Sequence, residues 1–205
     1  MSPDAATDPK ARLFVALDLP DEVRKRIAGW QQKALGDPAL RPMRAEALHI
    51  TLCFLAYRAE REIRRIEEVI GAIEPRPVTL RFDPEPSAVP KGRPRLYTLS
   101  AQSDDAVALQ AELSKALAKE GLYEPEERRF WPHVTVARVR SERQAPERGK
   151  RRGKARPKRV QRPPGPLPRA LEHPFDSVRL ALYRSELKPQ GAEYIALSGI
   201  DLPER

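Results

Sequence analysis

Apolar and polar positions along this chain follow one short grammar that is used twice. Leu13-Phe14-Val15-Ala16-Leu17-Asp18-Leu19 is a nearly unbroken apolar run, the pattern of a mostly buried strand. Pro20 and Asp21 then open a helix, because proline suits a helix entry and acids favour its first turn. Val23, Ile27, Trp30, Gln31 and Ala34 continue at helical spacing. A loop at Gly36-Asp37-Pro38 leads to a second strand over Leu48–Leu55, a charged helix over Glu60–Ile73 and a strand over Val78–Phe82. Residues 84–94 read as a proline-rich connection.

The order then restarts. Leu96-Tyr97-Thr98-Leu99 is a strand, Asp104–Lys119 an amphipathic helix with Gly121 as its C-cap, and His133–Arg138 a further strand. An offset of 84 residues sets Leu13 on Tyr97, Asp21 on Asp105, His49 on His133 and Thr51 on Thr135. Val78-Thr79-Leu80 resembles Val178-Arg179-Leu180 at a further shift. A closing hairpin spans Ser177–Tyr183, a turn at Lys188-Pro189-Gln190-Gly191, and Tyr194–Leu197. A duplicated strand–helix–strand unit predicts an α+β fold of two pseudo-symmetric lobes, each an antiparallel sheet with outer helices, flanking a central cleft. The expectation is a single domain over residues 1–205.

Residues 141–169 break this pattern. The span from Arg138 to Arg169 holds thirteen Lys or Arg and two acids, which leaves 25 basic and 27 acidic residues elsewhere. The net charge of +9 is therefore one basic segment on a near-neutral globule. It reads as a mobile insertion that attracts a polyanion such as nucleic acid, or as a solvated loop. No apolar run approaches the roughly 20 residues of a membrane span, and residues 1–12 lack the apolar stretch of a signal peptide. Cys53 is the only cysteine, so a reducing, cytoplasmic setting is expected.

The chemistry lies in the histidines. There are three, and two of them, His49 and His133, precede a threonine by two positions. Composition alone gives such a pairing roughly 0.2% of the time, so the coincidence carries weight. His49-Ile50-Thr51-Leu52 and His133-Val134-Thr135-Val136 alternate polar and apolar, and on a strand residues i and i+2 share a face. Each histidine thus stands beside its threonine while Ile50, Leu52, Val134 and Val136 enter the core. A pseudo-dyad brings both pairs to one cleft. Two imidazoles near neutrality supply a base and an acid together, and threonine hydroxyls donate to phosphoryl oxygens.

These paired motifs resemble those of the two-histidine phosphoesterase superfamily, and their surroundings resemble its RNA 2′,3′-cyclic phosphodiesterase branch, historically called 2′-5′ RNA ligases. The matching stretches are Leu13–Asp21, Leu48–Leu55, Glu124–Arg140 and Val178–Leu187. The resemblance implies hydrolysis of an RNA terminal 2′,3′-cyclic phosphate to a 2′-phosphate with no metal or cofactor. It makes His49 the proton donor, His133 the proton acceptor, Thr51 and Thr135 phosphate contacts, and Arg138 an anion-steadying residue. Arg138 lies five residues beyond His133, which on a regular strand is the opposite face. Met43 departs from the branch, which often has an aromatic residue there. The partner expected is an RNA end, not a membrane, with the chain acting as a monomer.

Other readings stay open at this level. Small cyclic nucleotides or ADP-ribose cyclic phosphate need the same cleft chemistry, and an RNA-binding module without turnover keeps the same charges. Zinc lacks a third ligand at convincing spacing. Cys53 and Trp30 read as core, His173 as a surface residue, and Phe130 and Trp131 as packing near the cleft or as a base platform.

Overall fold

In the computed structural model, which describes residues 8–142, 155–188 and 191–205, the apolar grammar becomes sheet and helix as the spacing predicts. Strand β1 (Lys10–Asp18) leads through Pro20 into α1 (Asp21–Ala34), which buries Val23, Ile27, Trp30 and Gln31. Short β2 (Leu40–Pro42) precedes β3 (His49–Ala59). The charged segment forms a 3-10 turn and then α2 (Ile63–Gly71), followed by β4 (Thr79–Phe82), β5 (Ser87–Val89) and β6 (Leu96–Gln102). Helix α3 (Asp104–Lys119) is fixed at both ends. The Ser103 hydroxyl accepts from the Ala106 amide at 3.0 Å, with Asp104 and Asp105 in the first turn. At its far end Gly121 takes a φ of +69°, and the Gly121 and Leu122 amides close on the Ala118 and Leu117 carbonyls.

After β7 (His133–Val139) come the two-residue strands β8 (Ser141–Glu142), β9 (Arg156–Pro157) and β10 (Phe175–Asp176), then the long hairpin of β11 (Arg179–Lys188) and β12 (Gly191–Asp201). The hairpin is longer than its apolar pattern predicts, and its turn residues Pro189 and Gln190 lie outside the described residues. The main sheet runs β10-β4-β6-β7-β3-β1-β11-β12, antiparallel at each pairing, with β2 added to β7 and β5 to β6. Its two halves, β7-β6-β4 and β3-β1-β11, are built alike, each taking its third strand from the other repeat, and meet where Ile50 pairs with Val134. Both of these side chains are fully buried. That pair marks the pseudo-dyad.

Three details depart from expectation. The proline-rich connection contains β5, whose Ser87–Val89 pair with Leu96–Thr98. The offset of 84 holds for the motif strands but not for their neighbours: Asp18 faces His49 and Ser100 faces His133, an offset of 82. Finally, residues 155–169 of the basic insertion make specific bonds to α1 and the loop after it, while residues 143–154 lie outside the described residues. The buried Asp37 carboxylate accepts the Gln161 and Arg162 amides, both at 2.8 Å. The Trp30 indole N–H donates to the Pro166 carbonyl at 3.0 Å, and Leu167 is buried. Among the described residues no helix is long and apolar enough to cross a membrane.

Candidate active site

The two motif strands run antiparallel and side by side. Extending the register from the Ile50–Val134 pair sets His49 across from Thr135 and Thr51 across from His133. Because side chains alternate, all four polar groups leave the same face while Ile50 and Val134 enter the core. They line one cleft of about 820 Å³, and Arg138 lines it too. All five residues singled out from the sequence are therefore brought together. His173 is exposed elsewhere.

Arg138 reaches this face through a bulge. The register between β6 and β7 shifts between Tyr97 and Thr98, leaving Val136 as the extra residue on β7. The phase of alternation changes there, so Val136 and Ala137 are both buried and Arg138 returns to the cleft. The register of β3 against β1 shifts in the same way at Leu52, which returns Phe54 to the cleft.

Each imidazole is tied to backbone two residues upstream. His133 Nδ1 lies 2.8 Å from the Trp131 carbonyl, and His49 bonds the backbone of Ala47. Such bonds hold a ring proton on one nitrogen and leave the other to exchange protons. For His49 that other nitrogen, Nε2, sits 3.1 Å from the Thr51 hydroxyl. Rings brace both histidines: Phe14 stacks on His49 at 4.8 Å, and Trp131 stacks on His133 at 4.4 Å. Behind Phe14, the Tyr183 hydroxyl donates to both oxygens of Asp18, at 2.7 and 2.8 Å. Burial raises the pKa of that carboxyl.

Burial also disfavours charge on the imidazoles. It lowers His49 to about 4, with the nearby His133 and Arg138 charges adding to the effect and the Ala47 bond opposing it. His133 is lowered by burial and by Arg128, against the Trp131 bond. Both shifts favour the neutral ring in the free protein.

Several lining residues carried no signal in the sequence. Arg12, Lys115, Arg128 and Arg129 join Arg138 in the wall, against Glu126, the one lining carboxylate among the described residues. Glu126 is itself bonded by Arg128 at 2.5 Å. This is a wall for an anion. Met43 lines the same cleft. Among the described residues no three His, Cys, Asp or Glu side chains gather as metal donors. Cys53 is buried, and burial pushes its thiol up to about 12, so it is inert.

Comparison with known proteins bears on the family and the fold. The family model of the 2′-5′ RNA ligase superfamily matches residues 19–164. A Thermus thermophilus protein named RNA 2′,3′-cyclic phosphodiesterase is 30% identical over 203 residues, covering 93% of this chain and 90% of its own. An Escherichia coli protein of the same name is 31% identical over 133 residues, covering 64% of this chain and 73% of its own. Among solved structures, TT0787 of Thermus thermophilus superposes with a TM-score of 0.73 at 27% identity, covering 94% of this chain and 98% of that one. Escherichia coli LigT complexed with 3′-AMP shares the fold, with a TM-score of 0.71 at 24% identity over 96% of this chain and 100% of that one.

Proposed function

This chain belongs to the 2′-5′ RNA ligase superfamily, and from that premise we propose that it opens the 2′,3′-cyclic phosphate at an RNA end to a 2′-phosphate, by metal-free exchange of protons between His49 and His133. It is an enzyme of the kind its five relatives are named for, RNA 2′,3′-cyclic phosphodiesterases at 26% to 31% identity. The observation that carries the finer reading is the register through Ile50 and Val134, which faces two His–Thr pairs into one cleft.

In the reaction, His133 takes a proton from water as the water oxygen bonds to phosphorus. The bond from phosphorus to O3′ breaks, and His49 gives its proton to that oxygen. The 2′ ester remains. Thr51 and Thr135 donate hydrogen bonds to the non-bridging oxygens, where negative charge grows, and Arg138 steadies the anion. The donor must be protonated, whereas the free protein holds His49 neutral. An arriving phosphodiester anion opposes the Arg138 charge and attracts a proton to the nearby imidazole, so His49 gains its proton as substrate binds. Both histidines come from one chain, so one copy is sufficient for the chemistry. A cytoplasmic location is proposed with this, in keeping with a single buried cysteine.

The test is to incubate the purified chain with an RNA oligonucleotide ending in a 2′,3′-cyclic phosphate and identify the product. A 2′-phosphate is expected. Binding without hydrolysis between pH 4 and 9 would sink the enzymatic reading, and hydrolysis of the mononucleotide alone would remove RNA as the substrate.

A further inference from the structure

The pseudo-dyad relates two residues of unlike chemistry. Phe54 and Arg138 each lie two positions after a bulge residue, and both line the cleft. The Phe54 side nevertheless carries a cation. The Arg12 guanidinium, from the adjoining strand β1, sits over the Phe54 ring with its carbon 4.8 Å from the centroid. One of its N–H groups donates to the Ser185 hydroxyl on β11 at 3.0 Å. Arg12, Phe54 and Ser185 line the same cleft as the two histidines. A guanidinium therefore stands on each flank of the histidine pair, one offered directly and one leaned across a ring.

The two flanks lie at different depths. Arg138 is close enough to act on His49. Arg12 is two residues beyond Phe14, the ring stacked on His49, which at strand spacing is about 7 Å further out. A guanidinium held by both an aromatic face and a hydroxyl is preorganised to bind an oxyanion. At that distance the anion is a neighbour of the reacting phosphate and not the reacting phosphate itself. On an RNA end, the neighbouring anion is the phosphodiester that joins the last nucleotide to the one before it.

We propose that Arg12, seated on Phe54 and tethered by Ser185, forms a second anion subsite that takes the phosphodiester on the 5′ side of the terminal nucleotide. This rests on reading the cleft as a cyclic phosphodiesterase site, and it makes Arg12 the residue that distinguishes a polynucleotide end from a free nucleoside cyclic phosphate. Residues at this distance act on binding, so the effect belongs in KM.

The experiment compares a nucleoside 2′,3′-cyclic phosphate with the same compound bearing a 5′-phosphate, using the wild type, Arg12→Met and Arg12→Lys. The wild type should prefer the 5′-phosphorylated compound. Arg12→Met should lower kcat/KM for that compound about tenfold, through KM, and erase the preference, with an unchanged melting temperature. Arg12→Lys should keep part of it. Equal losses on both compounds, or none on the phosphorylated one, would overturn the subsite. Calorimetry with a nucleoside 2′-phosphate and a nucleoside 2′,5′-bisphosphate separates the two readings. If the wild type hydrolyses neither cyclic compound, the functional reading fails, while an Arg12-dependent gain in affinity for the bisphosphate still supports the subsite.

Discussion

Leu52 and Val136 are the extra residues of two bulges at equivalent places in β3 and β7, each three positions after a cleft histidine. Each bulge resets the alternation of its strand, so the residue two places on returns to the cleft: Phe54 in one half, Arg138 in the other. The hinge of symmetry between them is the buried pair Ile50 and Val134. Truncation of Ile50 to alanine should cost about 2–5 kcal/mol of stability, as for other buried isoleucines. Denaturant unfolding measures this, and a loss below about 1 kcal/mol would mean that the junction repacks.

Removing either histidine tests the proposed acid–base pair. His49→Ala and His133→Ala should each lower kcat by about 10²–10⁴-fold, with circular dichroism and melting unchanged. Near-normal turnover in either variant rules out the paired mechanism. Thr51→Val and Thr135→Val should lose about 10²–10³-fold, the usual cost of one donor to a developing oxyanion.

The pH profile follows from the lowered imidazoles. A base acts only above its pKa and an acid only below its own, so the state with one proton between them peaks between the two values. With His49 near 4 and His133 below its ordinary 6.5 in the free protein, kcat/KM should peak on the acid side of pH 6.5 and fall on both sides. Bound phosphate raises both groups, so the kcat profile should lie at higher pH. A kcat/KM maximum above pH 7 would contradict the burial of these rings.

Dialysis against a chelator should leave the rate unchanged, because every proposed proton transfer runs between imidazole, water and sugar oxygen. Loss of activity on EDTA treatment, restored by a divalent cation, would require a different mechanism.

Asp37 accepts backbone bonds from the basic segment. Hydrogen bonds from the Arg162 and Ala39 amides, with a smaller one from Gln161, keep its carboxyl below the usual range. A depressed carboxyl contributes stability above its unfolded pKa and loses it as pH falls through the folded value. Asp37→Ala should therefore lower the melting temperature at pH 7 and speed proteolysis within residues 155–166, and the difference should vanish in acid. Equal protease sensitivity at pH 7 would show that Trp30 and Leu167 suffice.

What could be read beforehand was whatever depends on local periodicity. The β1–α1 and β6–α3 units, the two His–Thr strands and the burial of Ile50 and Val134 follow from spacing alone. The bulges do not, because neither Leu52 nor Val136 is a glycine or proline to announce one, and without the second bulge Arg138 falls on the wrong face. Arg12 gave no signal either, since its role depends on strands β3 and β11 that reach it from far along the chain. The contacts of residues 155–169 were likewise hidden: two of them run to one carboxylate, Asp37, more than a hundred residues upstream.

A site built on a two-fold axis has a chemical consequence. The cyclic phosphate it would bind is itself nearly symmetric, with two ester oxygens either of which can depart. Two dyad-related imidazoles treat those oxygens alike, so the His–Thr pairs by themselves have no preference for which isomer forms. Regiochemistry must come from places where the halves differ: Phe14 against Trp131 behind the rings, and the guanidinium leaned over Phe54 against the one offered by Arg138. On the proposed mechanism, the duplicated half of the design catalyses, and the unmatched half chooses the product.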